Sequence, residues 1–312
     1  MQLRRKTCLL VVLLALLVSA ASSAGAAQKK KKKKPLPRGT PVLWRDRDIA
    51  ALDLADGPGG DGLRPVVRRL RFVKEEKGGW SKKYRVLDSR GREWVAKLGR
   101  EAQSETAATR LVWAAGYETE ITYLVPRVTI PGKGTFENVR FELRPKNVKR
   151  LDEWSWEKNP FTGTRELDGL KVLMVLLNNW DLKDENNVII HSPSAGELRY
   201  TISDLGATFG KTGGGPLWKL TRSRSNPDDY ADSKFVDKVE DGYVKFHFTG
   251  VNKKLFEKVP VEHARWIGER LSRLTDGQLN SIFRAANYTP AETRLLARAV
   301  RARIEELNSL RR

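Results

Sequence analysis

The chain has 312 residues, enough for one or two domains with a substantial core. It carries 58 basic against 38 acidic residues, a net charge of +20, so its partners are expected to be anionic, although no specific nucleic-acid motif accompanies the charge. Its single cysteine, Cys8, precedes an apolar leader, which excludes a disulfide framework, a thiol nucleophile and a cysteine metal site from the rest of the chain.

Residues 1–27 read as a secretory signal peptide. Arg4, Arg5 and Lys6 form a charged start, and residues 7–18 form an apolar core. Ala24-Gly25-Ala26 offers a small-residue cleavage site. The apolar core is short for a bilayer span, and an uncleaved anchor is the alternative. An exported chain without disulfides fits a bacterial envelope, so a periplasmic, envelope or secreted location is expected. Next come six adjacent lysines, Lys29 to Lys34, whose ammonium groups repel one another. They are expected to form a disordered arm, either a plain linker or a tether to an anionic surface or polymer. Beyond residue 34 the chain still holds 49 bases against 38 acids. Residues 28–64 as a whole, with Asp56-Gly57-Pro58-Gly59-Gly60-Asp61-Gly62, read as a basic, loop-rich leader.

The ordered body is expected from residue 65. A first strand is centred on Val66, Val67, Leu70, Phe72 and Val73. A glycine–lysine loop follows at residues 77–83, holding Gly79, Ser81 and Lys82, and then strands at 84–87 and 93–99. Glycine tolerates close backbone approach, so such a loop can turn its N–H groups onto phosphates. Lys97 shares a strand face with Val95, which aims an ammonium out of an apolar face just before a helix. That helix, residues 100–115, shows apolar periodicity through Ala107, Ala108, Leu111 and Val112, and Gly116 is its stop. Glu101 and Glu105 lie four apart on one helix face. Residues 118–130 and 137–143 complete a five-stranded sheet, and Arg144-Pro145-Lys146-Asn147 marks a crossing to a second lobe.

The second lobe opens with Trp154 and Trp156, read as a wedge against the core, with a stacking platform for a base or sugar as the alternative. Residues 165–177 form a helix apolar on nearly all sides, hence buried. It leads into Asp181-Leu182-Lys183-Asp184-Glu185-Asn186. Strand-like runs at 188–190 and 200–203, joined by a polar turn, read as a hairpin. That pairing brings Asn186 beside Asp204 of Asp204-Leu205-Gly206, with Asp181 and Lys183 on the loop above. Oxygens of an asparagine and an aspartate at one point suit Mg²⁺, which keeps part of its shell for phosphate.

These motifs resemble the protein-kinase superfamily. Asp181 to Asn186 is similar to the D-L-K-P-E-N catalytic loop, Asp204-Leu205-Gly206 to D-F-G, and Trp94-Val95-Ala96-Lys97 to the V-A-I-K strand. The wider resemblance is to divergent members such as the HipA-type, phosphoinositide and secretory-pathway kinases, with this chain an exported bacterial member. The loop at residues 77–83 lacks G-x-G-x-x-G and is similar to the glycine–serine–lysine loops of those divergent families. Asn179 and Trp180 stand where kinases have histidine and arginine. The resemblance implies an α+β, two-lobed fold, with a small antiparallel sheet lobe and one helix over residues 65–145 and a larger, mainly helical lobe over 146–312. It implies Mg²⁺ and ATP as cofactors. Lys97 would hold the nucleotide phosphates and Glu105, or Glu101, would position Lys97. Gly79, Ser81 and Lys82 would cover the phosphates. Asp181 would orient the acceptor, Lys183 would offset charge, and Asn186 and Asp204 would hold the metal. Residues 207–250 correspond to an activation and acceptor-binding segment.

The tail is helical. Capping boxes at Thr275–Gln278 and Thr289–Glu292 start helices of residues 276–286 and 290–307. Arg294, Arg298, Arg301 and Arg303 read as a solvated face. His191, His247 and His263 have no metal-ligand spacing. The expected activity is phosphoryl transfer to an unknown acceptor. The rival readings are an inactive kinase fold used for binding and a basic protein of anionic surfaces.

Overall fold

The computed structural model describes residues 35–78 and 81–311. The expected signal peptide, the lysine arm and Gly79 lie outside the described residues. The folded unit runs from Pro37 to Arg312, so the loop-rich leader expected over residues 28–64 ends sooner than its composition suggests. Strand β1 (Thr40–Val42) runs parallel to a strand of the larger lobe, with Thr40 opposite Glu197. Short 3-10 turns follow at Ile49–Ala51, Gly57–Gly59 and Asp61–Leu63. Leu43, Ile49 and Leu54 are buried in the main core. These apolar side chains are too widely spaced to show any period, and only long-range packing reveals their place.

The small lobe holds β2 (Arg71–Glu76), β3 (Lys83–Leu87), β4 (Glu93–Lys97), helix α1 (Glu101–Ala114), β5 (Thr122–Ile130) and β6 (Gly134–Leu143). Its strands form one antiparallel sheet in the order β2-β3-β4-β6-β5. The first strand starts later than expected, because Val67–Arg69 forms a 3-10 turn. One sheet face carries Tyr84, Val86, Trp94, Ala96, Phe141 and Leu143 into a separate apolar core. The opposite face carries Lys83, Lys97 and Arg140 side by side in register. Helix α1 is buried on nearly every side, and small residues such as Ala102, Ala107 and Ala108 let it pack closely.

The larger lobe continues through β7 (Lys149–Arg150), α2 (Arg165–Leu176), β8 (Asn187–Ser192) and β9 (Glu197–Ile202). Its sheet has the order β1-β9-β8-β7. Trp154 and Trp156, with ring centroids 5.0 Å apart, are both buried and wedge the loop before α2 against the core. After α3 (Trp218–Thr221) and α4 (Pro227–Ala231) comes a small sheet of β10 (Val236–Glu240), β11 (Tyr243–Phe246) and β12 (Val259–Pro260). The chain ends in α5 (Val261–Leu271), α6 (Asp276–Ala285) and α7 (Pro290–Asn308). Both capping boxes form, with Thr275 and Gln278, and Thr289 and Glu292, exchanging reciprocal bonds. The fold is α+β and two-lobed, with one small antiparallel sheet lobe and one larger, mainly helical lobe.

Candidate active site

Helix α2 aims the central loop. Its apolar circumference is buried throughout, and it stops where Asn178 takes the left-handed conformation (φ 52°). Asn178 N and Asn179 N bond back to Val175 O and Met174 O at 2.8 and 2.9 Å, which closes the helix and turns the chain outward. Lys183 Nζ lies 2.9 Å from Asp181 Oδ1. The Asn186 side-chain amide donates to Asp181 O, so its oxygen is the atom left for a cation.

The hairpin forms as its alternation predicts, with Asn187 opposite Ile202 and Val188 opposite Thr201. The strands are longer than expected, and the turn shrinks to a 3-10 turn at Pro193–Ala195 plus Gly196. At the open end, Asn186 O accepts from both Ser203 N and Asp204 N, at 2.9 and 3.1 Å. Asn186 and Asp204 are thereby joined through the backbone.

Lys97 is the centre of the opposing wall. Its side chain is 2% exposed, and Nζ reaches Glu101 Oε2 at 2.9 Å, Glu105 Oε2 at 2.9 Å and Asp204 Oδ1 at 3.3 Å. Both helix carboxylates expected as alternatives therefore bind it. Glu105 is the deeper, with Arg140 Nη1 on its other oxygen at 2.7 Å. Glu101 is shared with Ser81 Oγ, at 2.7 Å, and with Arg224. Burial works against the Asp204 carboxylate, but Lys97, the Gly206 N–H, Arg140 and Lys83 outweigh it and hold the carboxyl below its ordinary value. Gly206 sits where a Cβ would come 2.9 Å from Glu101 Cβ, so this turn needs glycine to approach α1.

A cleft of about 150 Å³ gathers Ser81, Lys83, Lys97, Glu101, Asp181, Lys183, Asn186 and Asp204, together with Trp180, Ala207, Arg222 and Arg224. Seven of the expected site residues thus meet, and with Glu105 behind Lys97 they form one constellation. Lys82 does not join them. Its Nζ lies 5.4 Å from the Tyr84 ring on the other sheet face, and Lys83, one residue along the alternating strand, enters the cleft instead. Burial lowers Lys83, and the neighbouring Lys97 charge adds to the effect.

Several residues of the site escaped the sequence reading. Arg140 and Glu142 on β6 and Arg144 just past its end are spaced by two, and that spacing is the signal that could have found them. They continue the Lys97–Glu105 pair as an ionic chain. Arg140 bonds Glu142 at 2.7 Å, Glu142 contacts Arg144, Arg144 reaches Glu120 at 3.3 Å, and Glu120 contacts Arg150. Arg222 and Arg224 from the 207–250 segment lie 3.8 and 4.8 Å from the Trp180 ring centroid. Trp180 Nε1 also donates to Ser223 O at 2.8 Å, so this tryptophan pins the segment to the loop.

Arg303, expected on a solvated face, is 3% exposed. It donates to Leu176 O (2.6 Å), Asn178 Oδ1 (3.1 Å) and Tyr230 O (3.1 Å), which braces the end of α2. The helical period placed it beside charged neighbours, but α7 packs that turn against the lobe. Among the described residues no group of three or more His, Cys, Asp or Glu could hold a metal. Asn186 and Asp204 supply two oxygen donors, which fits a hard cation that shares its shell with water and phosphate.

No family model matches the chain, and the search of curated proteins gives no relative. Among solved structures it is similar to the proinflammatory kinase CtkA of Helicobacter pylori, with 14% identity and a TM-score of 0.49 over 77% of this chain and 95% of that one. It is also similar to the Rio2 kinase of Chaetomium thermophilum, solved as an ADP/Mg²⁺-phosphoaspartate complex, with 11% identity, a TM-score of 0.31 and coverage of 76% and 72%. A third is a Golgi casein kinase, with 10% identity, a TM-score of 0.35 and coverage of 78% and 72%. At such identities none of the three assigns an activity to this chain.

Proposed function

We propose that this protein is a kinase-like phosphotransferase that moves a phosphoryl group from Mg²⁺·ATP to a hydroxyl acceptor. The observation that carries the reading is the buried Lys97–Glu105 pair, 3.3 Å from Asp204 and in one cleft with Asp181, Lys183 and Asn186. Lys97 would bind donor phosphates, held in place by Glu105 and Arg140. Asp181 would orient the acceptor hydroxyl and receive its proton, while Lys183 offsets charge on the transferred group. Asn186 and Asp204 would hold Mg²⁺, which when bound neutralises phosphate charge. Fixed charges in a partly dried cleft need little reorganisation, so positioning and electrostatics supply most of the catalysis. With its apolar leader, the protein would act in the periplasm, the envelope or outside the cell, and the lysine arm would hold it near anionic surfaces.

A binding module without turnover is the second reading. It is favoured by Arg222 and Arg224, which line the cleft, with Arg224 paired to Glu101. Thermal shift with ATP and Mg²⁺ tests the site, because a ligand that binds only the folded form raises its stability. A metal-dependent shift lost in Lys97→Ala and in Asp204→Ala is expected. Absence of a shift with any nucleotide, all three proteins being folded, refutes the donor site. Transfer of labelled phosphate that vanishes in Asp181→Asn, with the shift retained, separates an enzyme from a binding module.

A further inference from the structure

A site that reads a nucleobase offers an apolar slot with a few placed polar groups. This cleft offers charge instead. On its face of β4, the side chains are Glu93, Val95 and Lys97. Val95 is 3% exposed and is flanked in register by Arg85 and Glu142. Beyond Lys97 the wall is the ionic chain Glu105–Arg140–Glu142–Arg144–Glu120–Arg150, with Glu142 and Glu120 both buried. Arg150 Nη2 and Glu120 both bond Ser203 Oγ, at 3.0 Å each, which ties the chain to the residue beside Asp204. Opening that network for a ring would strand buried charges, a cost larger than a stacked base returns.

The crossing between lobes offers little backbone either. Arg144 N donates to Glu93 O at 2.8 Å, Pro145 has no N–H, and Lys149 and Arg150 are paired with β8. What remains is the short turn from Lys146 to Val148, exposed at Lys146 and Asn147 and half-buried at Val148. Among the described residues Trp180 is the one aromatic lining the cleft, and both arginines already lie against its ring. Five cations, Lys83, Lys97, Lys183, Arg222 and Arg224, converge on it against three carboxylates, Glu101, Asp181 and Asp204.

We propose that the cleft selects its donor through the polyphosphate and does not discriminate among nucleobases. The proposal rests on the reading of this cleft as a phosphoryl-donor site. A site that reads its ligand by hydrogen bonds rejects an analogue lacking them by about 10⁴-fold, and no such rejection is expected here.

The test is a thermal-shift titration of the full chain with Mg²⁺ and, separately, ATP, GTP, CTP, UTP and inorganic tripolyphosphate. Half-saturating concentrations of all five within about tenfold of one another are expected, each shift being lost in Lys97→Ala. A spread beyond about tenfold in favour of one base, or a shift with ATP but none with tripolyphosphate, overturns the proposal and leaves the donor site standing. Shifts that persist in Lys97→Ala place the binding on the basic surface and overturn it. No shift with any of the five overturns both the proposal and the donor site.

Discussion

Replacing Lys97 by methionine keeps the volume of a side chain that is 2% exposed and removes a charge held by three carboxylates. Breaking a buried ion pair typically costs about 3–5 kcal/mol, because the abandoned partner stays desolvated. Here two partners have others to turn to. Glu105 keeps Arg140 at 2.7 Å, and Glu101 keeps Arg224 and Ser81. Asp204 keeps the Gly206 N–H at 3.0 Å and faces the cleft, where water reaches it. The expected loss in Lys97→Met is therefore lower, about 2 kcal/mol, or ~5 °C in midpoint for a unit of this size. The sign with pH is specific. In the parent protein, burial opposes the charge on Asp204, but Lys97 and its neighbours hold the carboxyl below its ordinary value of 3.8. That contribution is complete above 3.8 and is lost as pH falls through the lower folded value. In Lys97→Met, Asp204 loses its nearest cation and titrates higher, so acid harms the variant less. Denaturant unfolding of both proteins from about pH 7 down to about pH 2 measures the gap, which is expected to hold above 3.8 and to narrow below it. A gap that stays constant across this range, or a variant as stable as the parent at neutral pH, refutes the account of the cluster.

Three further outcomes are expected. Asp88→Ala removes a fully buried acceptor that takes bonds from Arg90 N and Arg92 N at 3.0 Å and from Trp94 Nε1 at 3.1 Å. A destabilisation of about 3 kcal/mol by denaturant unfolding is expected, with any nucleotide-induced shift preserved. Arg303→Met takes the donor from Ser233 O and one of the donors from Leu176 O and Tyr230 O, which keep Tyr230 Oη and Ser233 Oγ, and should cost about 2 kcal/mol. Because this bracing ends at Asn178, phosphoryl transfer should fall more than nucleotide binding, measured by transfer rate and thermal shift on the same sample. Trp180→Ala frees Arg222 and Arg224 from their platform, so limited proteolysis should cut the 207–226 segment at least tenfold faster, a loss of about 1.4 kcal/mol in local stability. Unchanged cleavage would mean that the tryptophan does not hold the segment.

The elements with local causes were legible in the chain. The two threonine capping boxes, the apolar circumference of α2, and the alternation of β3, β4 and β8–β9 each depend on residues a few positions apart. Those patterns also carried the placement of Asp181, Asn186 and Asp204, because a hairpin in register brings its two ends together. Lys97, two residues from Val95 on a strand that meets a helix, was found for the same reason. Lys82 was assigned to the cleft in place of Lys83 because a one-residue shift in where a strand begins exchanges its faces. The rest depended on neighbours far along the chain. Leu43, Ile49 and Leu54 looked like loop residues because what buries them lies mostly beyond residue 100. Arg303 reads like any surface arginine until α7 docks beside Leu176 and Tyr230. The ionic chain from Glu105 to Arg150 is built from two strands, a helix and two connecting segments, and no spacing along the chain predicts which charge meets which. Periodicity reports which face of an element is buried, whereas what lies against that face is settled only when the whole chain packs.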